Sequence, residues 1–142
     1  MDAGFAFRGR TGVLSPAGGG DYALAINADN SNLGAGATWA SDLDFDTSYR
    51  VLFSWNAGTG ESRLWVDPVD MASTSISHTG VNTGDIIQAV AFRQSNDYTG
   101  LVQIDDITAA DNFAQGLVIP EPHTVMLALF GGLLAILRRR RG

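Results

Sequence analysis

The stretch Tyr49-Arg50-Val51-Leu52-Phe53-Ser54-Trp55 decides the fold class. Tyr49, Val51, Phe53 and Trp55 alternate with Arg50, Leu52 and Ser54, a period of two. Successive side chains of a strand point to opposite faces, so this period predicts a strand with one buried face. Leu64 and Val66 repeat the pattern against Arg63, Trp65 and Asp67. Between the two runs lies Asn56-Ala57-Gly58-Thr59-Gly60-Glu61, a loop with two glycines. A hairpin is expected, with strands at 49–55 and 62–67. Asp67-Pro68 ends it, because proline has no N–H to give to a ladder.

Outward from the hairpin, Gly4–Arg8, Tyr22–Asn27, Asp85–Gln94 and Leu101–Thr108 also read as strands. Phe5 and Phe7 share one face of the first, and Tyr22, Leu24 and Ile26 share one face of the second. Ile86-Ile87-Gln88-Ala89-Val90-Ala91-Phe92 is apolar on both faces, which suits a central strand. Ser95–Gly100 is rich in turn formers and should join it to the last strand. Segments 15–21 and 28–38, made of Gly, Asn, Ser and Ala, read as loops. No helix is expected before the C-terminal tail. The fold class predicted for residues 1–115 is all-β, an antiparallel β-sandwich.

Composition excludes several chemistries. The chain has 142 residues, enough for one domain and a tail. All nine basic residues are arginine, so a lysine Schiff base or a Walker-type lysine is excluded. Cysteine is absent, which removes disulfides, thiolate zinc sites and cysteine nucleophiles. Without residues 120–142 the body holds 14 acids against five arginines, a net of −9. That charge keeps a protein soluble and disfavours nucleic acid and anionic lipid as partners.

The C-terminal segment 116–142 has a different character. Ile119-Pro120-Glu121-Pro122-His123 leads into an uncharged run, Thr124–Leu137, and then into Arg138-Arg139-Arg140-Arg141-Gly142. As a helix, fourteen residues cover roughly 21 Å at about 1.5 Å each. A bilayer core is about 30 Å thick, and runs this short are usually buried core helices. Four arginines cannot enter a core unpaired, however, whereas their long stems can snorkel to a membrane surface. A C-terminal transmembrane helix is therefore expected, with the arginines cytoplasmic and the body outside. Pro120 and Pro122 fix the backbone on either side of Glu121 and keep it extended.

Hinge, apolar run and basic stop, in that order at the chain end, resemble the PEP-CTERM sorting signal of Gram-negative bacteria. The resemblance implies a membrane partner, exosortase, that recognises the tail, removes it and passes the protein to the cell surface or extracellular matrix. Pro120, Glu121, Pro122, Arg138, Arg139, Arg140 and Arg141 would be its sorting residues. An exported protein should also begin with a basic and then apolar signal. Met1-Asp2-Ala3-Gly4-Phe5-Ala6-Phe7 has none and reads as part of a strand. The chain is accordingly expected to be a shortened form of a longer exported protein.

The body carries a second, weaker resemblance. Leu64-Trp65-Val66-Asp67-Pro68, Ala91-Phe92-Arg93-Gln94-Ser95, Val102-Gln103-Ile104-Asp105-Asp106-Ile107 and a closing Phe113 are similar to the later strands of concanavalin A-like (laminin-G-like) jelly rolls. The similarity covers roughly residues 4–113 and implies a partial jelly roll lacking its opening strands.

Candidate sites are few. Asp42, Asp44 and Asp46 stand at alternate positions, as at the start of a calcium loop. Thr47 then replaces the turn glycine and Phe53 the bidentate glutamate, so the alternative is a solvated strand face. Asp105-Asp106 ends a strand, and Asp106 is in phase with Val102 and Ile104, which calls for a buried cap or a bulge, with a cation site as the alternative. A retaining glucanase needs two carboxylates about 5 Å apart. Only Glu61, in the hairpin loop, and Glu121, in the hinge, are available as glutamates. His78 and His123 are too far apart in sequence and context to pair on a metal, and no G-x-S-x-G elbow occurs. No catalytic residue, cofactor or metal site is expected. Trp55 is in phase with Val51 and Phe53 and should be core. Trp65 lies on the other face from Leu64 and Val66, where a concave surface would offer it to a sugar ring; packing within the sheet is its alternative role. Trp39 has no assigned place.

The leading expectation is a non-catalytic surface or matrix protein, with polysaccharide as candidate ligand. The alternatives are a carbohydrate-active enzyme whose catalytic strands lie upstream, and an anchored structural protein whose tail is never cut.

Overall fold

The 49–67 hairpin forms, with strand ends one or two residues from those expected, and the rest of the sandwich is built against it. The computed structural model describes residues 8–93 and 100–117. Among them the strands are β1 (Arg10–Leu14), β2 (Ala23–Asn27), β3 (Ala37–Thr38), β4 (Val51–Asn56), β5 (Glu61–Val66) and β6 (Ser75–Thr79). They make two antiparallel three-stranded sheets, ordered β1-β2-β3 and β4-β5-β6.

The β4–β5 turn follows from its residues. Asn56 Oδ1 accepts the backbone N–H groups of Gly58 at 2.9 Å and Thr59 at 3.3 Å. Gly60 closes the loop with an N–H to the Asn56 carbonyl at 2.8 Å and sits at φ +68°, a conformation that favours glycine. At the other end of the hairpin Asp67 donates its N–H to the Arg50 carbonyl and accepts the Arg50 N–H, both at 2.8 Å.

Register places Phe53 beside Leu64 and Leu64 beside Ile76, and facing residues of a ladder share one side of the sheet. That side packs on Leu24 and Ile26 of β2 and on Leu43 to form the core, closed by Tyr22, Ala37, Trp39, Tyr49 and Val66. Two layers thus bury one face each, as a sandwich requires. Every residue of β2 is buried. Its outer face, with Ala23, Ala25 and Asn27, shares its side with Gly12 of β1, and the Leu33 side chain lies over Gly12. Leu33 comes from a 3-10 turn, Leu33–Ala35, whose cap Asn32 accepts the Gly34 N–H. The buried amide of Asn27 donates to the Asn32 carbonyl and accepts the Asp29 and Asn30 N–H groups, so a polar residue ends the central strand without an unmet bond.

The chain divides into two units, Met1–Leu101 and Val102–Gly142, and the sandwich belongs to the first. In the second, the described residues hold α1 (Phe113–Leu117), capped by Asn112, whose Oδ1 accepts the Gln115 N–H.

Several expectations are corrected. Asp85–Gln94 and Leu101–Thr108 form no strand in their described residues. Ile86, Val90, Phe92, Leu101, Val102, Ile104 and Ile107 are exposed rather than central. Each strand backbone group needs a ladder partner, and no described edge supplies one there. Asp106 is exposed at φ +50° and caps nothing buried; its N–H turns back to the Asp105 carboxylate. Helical turns occur at 33–35 and 113–117, where asparagine caps hold them, although none was expected before the tail. Strands β1, β3 and β6 arise in segments not read as strands. The expected strand Gly4–Arg8 falls mostly outside the described residues.

Candidate functional site

The sorting residues Pro120, Glu121, Pro122 and Arg138–Arg141, and the expected membrane span Thr124–Leu137, lie outside the described residues. Among the described residues no helix is long and apolar enough to cross a membrane.

Within the body, Trp65 does point away from Leu64 and Val66, but it is only 3 % exposed, and the Arg63 guanidinium lies 5.9 Å from its ring centroid. A ring this covered has no open face for a sugar, which corrects the stacking role and leaves sheet packing. Trp55 is half-buried and its indole N–H donates to the Asp85 carbonyl at 2.8 Å, fastening residue 85 beside the end of β4. The Arg8 guanidinium pairs with the Asp85 carboxylate at the same place. Trp39 packs against the core, with its backbone N–H on the Leu24 carbonyl at 2.7 Å.

The three alternate aspartates diverge in role. Asp42 accepts the backbone N–H groups of Ala17 at 3.0 Å and Gly18 at 2.7 Å. These bonds hold its carboxyl below the usual carboxylate range. It thus tethers the 15–20 loop. Asp44 and Asp46 are exposed, and Asp46 sits at φ +55° in the turn that follows. Among the described residues no three His, Asp or Glu side chains come together as a metal site.

Glu61 is taken up by Arg63, at 2.7 Å from Nη2, and that bond lowers its carboxyl. Ser62 and His78 are register partners on the inner face. They form no nucleophilic pair among the described residues: Ser62 is fully buried and its Oγ has no hydrogen-bond partner among them, while His78 Nδ1 accepts the Ala28 N–H at 3.1 Å. An accepting Nδ1 puts the ring proton on Nε2. His78 is therefore a clasp between the two sheets.

One surface feature is not among the sequence expectations. The Phe45 ring stacks on Tyr22, with centroids 5.7 Å apart and planes at 23°, and Phe45 is 57 % exposed. Its backbone is tied down. The Phe45 N–H donates to Asp21 Oδ2 at 2.7 Å and the Asp44 N–H to the Tyr49 hydroxyl at 3.1 Å. Leu43 and Tyr22 exchange backbone bonds at 2.7 and 3.1 Å. The signal was present in Asp42-Leu43-Asp44-Phe45-Asp46: the aspartates alternate with two apolar residues, of which Leu43 is buried and Phe45 is not.

Comparison with known proteins bears on the tail. The family profile described as the PEP-CTERM protein-sorting motif matches residues 118–141. The match takes in the Pro-Glu-Pro hinge, the apolar run and all four arginines. The motif implies an exported protein, sorted by exosortase at the membrane and passed through the cell envelope to the surface. No curated protein and no solved structure matches the chain.

Proposed function

We propose that this is a non-catalytic surface or matrix protein of a Gram-negative bacterium, whose β-sandwich body is delivered by its C-terminal signal and binds extracellular polysaccharide. The observation that carries the reading is the sorting motif at 118–141, which contains every residue the sequence assigned to sorting. A body of two antiparallel sheets is compatible with a partial concanavalin A-like jelly roll. The absence of a catalytic role draws support from the engaged state of the candidate groups: Glu61 is paired with Arg63, and His78 Nδ1 holds a backbone N–H.

Sorting is tested in an exosortase-containing host, with an export signal supplied. Replacing Pro120 and Pro122 by Ala frees the hinge to become helical and denies the processing enzyme an extended substrate. Full-length, membrane-held protein is expected. Replacing Arg138–Arg141 by neutral residues removes the stop, since each charge resists transfer by about 2.5–3.5 kcal/mol on insertion scales. Released, uncut protein is expected. Immunoblots of membrane and medium fractions read both, and unchanged processing in both variants would remove the case for a sorting signal.

A further inference from the structure

We infer that the Tyr22–Phe45 ring pair is a stacking platform for an uncharged pyranose chain; the inference rests on the polysaccharide-binding reading above and gives it a site. A pyranose presents C–H bonds on one face and hydroxyls around its rim. It is held by a flat apolar surface with a few hydrogen-bonding groups beside it. Phe45 offers that surface: the residue is more than half exposed and its ring is backed by Tyr22.

The ring is also preorganised. The flanking backbone is anchored on Asp21 and Tyr49, and the Leu43–Tyr22 bridge ties the same loop to the start of β2. A rigid aromatic gives contact area at little entropic cost on binding. Phe45 lies outside the core cluster and more than half of it is open to solvent, so core packing alone does not account for the anchoring of its loop. Asp21 and Asp44 lie next to it in the chain or by hydrogen bond, and the exposed Thr47 turns its hydroxyl to the Phe45 carbonyl at 3.3 Å. Carboxylates and a hydroxyl suit sugar hydroxyls as partners. The body charge of −9 repels a polyuronate, which selects the uncharged class.

The test uses the full chain in a detergent without a sugar headgroup. Isothermal titration is run with cellohexaose, laminarihexaose and mannohexaose, and with polygalacturonate as the anionic comparison. At least one neutral hexasaccharide should bind. Phe45→Ala should weaken it about tenfold, as loss of a central aromatic anchor does. Phe45→Tyr, which keeps the ring, should preserve binding. Phe45→Leu keeps apolar bulk without the ring and should match the alanine variant, so the result does not hang on one substitution. Neutral-sugar binding that both ring-removing variants leave intact would overturn the platform and spare the polysaccharide reading. Binding of polygalacturonate through Phe45 would overturn the uncharged class. No binding of any of the three hexasaccharides would overturn the polysaccharide reading and the platform together, while leaving the sorting result untouched.

Discussion

Strand β2, Ala23-Leu24-Ala25-Ile26-Asn27, and the run Ile86-Ile87-Gln88-Ala89-Val90-Ala91-Phe92 invert what their sequences suggest. The second is the more apolar and reads as the buried, central strand. The first alternates with small residues and ends in asparagine. Yet β2 is buried along its whole length, and Val90 in the second run is 71 % exposed. The difference is one of neighbours. β2 has β1 and β3 on its edges, the second sheet over Leu24 and Ile26, and Leu33 near its outer face. Residues 86–92 are held at Asp85 by Trp55 and Arg8 and then have no ladder among the described residues. Apolarity makes a segment willing to be buried; a strand becomes central only when two edges and two faces receive it.

The largest effect that could break this comparison is a pair of truncations. Leu64 is fully buried against the β2 side chains, so Leu64→Ala should cost about 2–5 kcal/mol, transfer loss and cavity together. Val90→Ala removes methyl groups already in water and should stay within about 0.5 kcal/mol. Urea unfolding followed by tryptophan fluorescence gives both values. Equal losses would mean that Val90 is packed in solution and that the two regions are alike.

The same contrast explains what the sequence made legible. The hairpin could be read because its information is local: alternation on both arms, glycines in the loop, and Asp67-Pro68 as a stop. The sorting tail could be read because its three parts are contiguous. β1, with Gly12 at its centre, and β6, Ser75-Ile76-Ser77-His78-Thr79, lack a run of apolar residues and exist through partners distant in sequence. Trp65 illustrates a further gap. Alternation fixed which way its side chain points, but only the fold shows that this side is also covered. Phe45 stands among acids in a segment with the spacing of a solvated loop, and only the fold brings its ring onto Tyr22.

A smaller effect sharpens the comparison by loosening the layer above β2. His78 is the clasp to Ala28, the residue just beyond that strand. His78→Ala leaves the Ala28 N–H without an acceptor in a partly buried setting and should cost about 1–3 kcal/mol. Amide exchange should accelerate at Ala28 more than in the β4–β5 ladder. Uniform acceleration in both sheets would mean that the bond carries no inter-sheet role.

The smallest effect lies at the loop feeding β2. Asp42 binds the N–H groups of Ala17 and Gly18, one on each carboxylate oxygen, and is held below its ordinary value by them. A carboxyl depressed on folding stabilises the folded state above its unfolded pKa. That contribution is lost as pH falls through the lower, folded value. Wild-type protein should therefore lose the tether only below the usual aspartate range, about pH 4. Asp42→Asn keeps one accepting oxygen and no charge, so one of the two N–H groups is left facing the amide NH2 and loses its acceptor. At neutral pH the variant should exchange the Ala17 and Gly18 amides faster than wild type. On acidification the two proteins should converge, because protonation strips the wild-type carboxyl of the same advantage. Exchange measured from pH 6 downward, corrected for intrinsic rates, follows that convergence. A gap that stays constant to the lowest pH would mean that the loop is held by geometry alone and that the charge on Asp42 does not contribute to delivering the chain into β2.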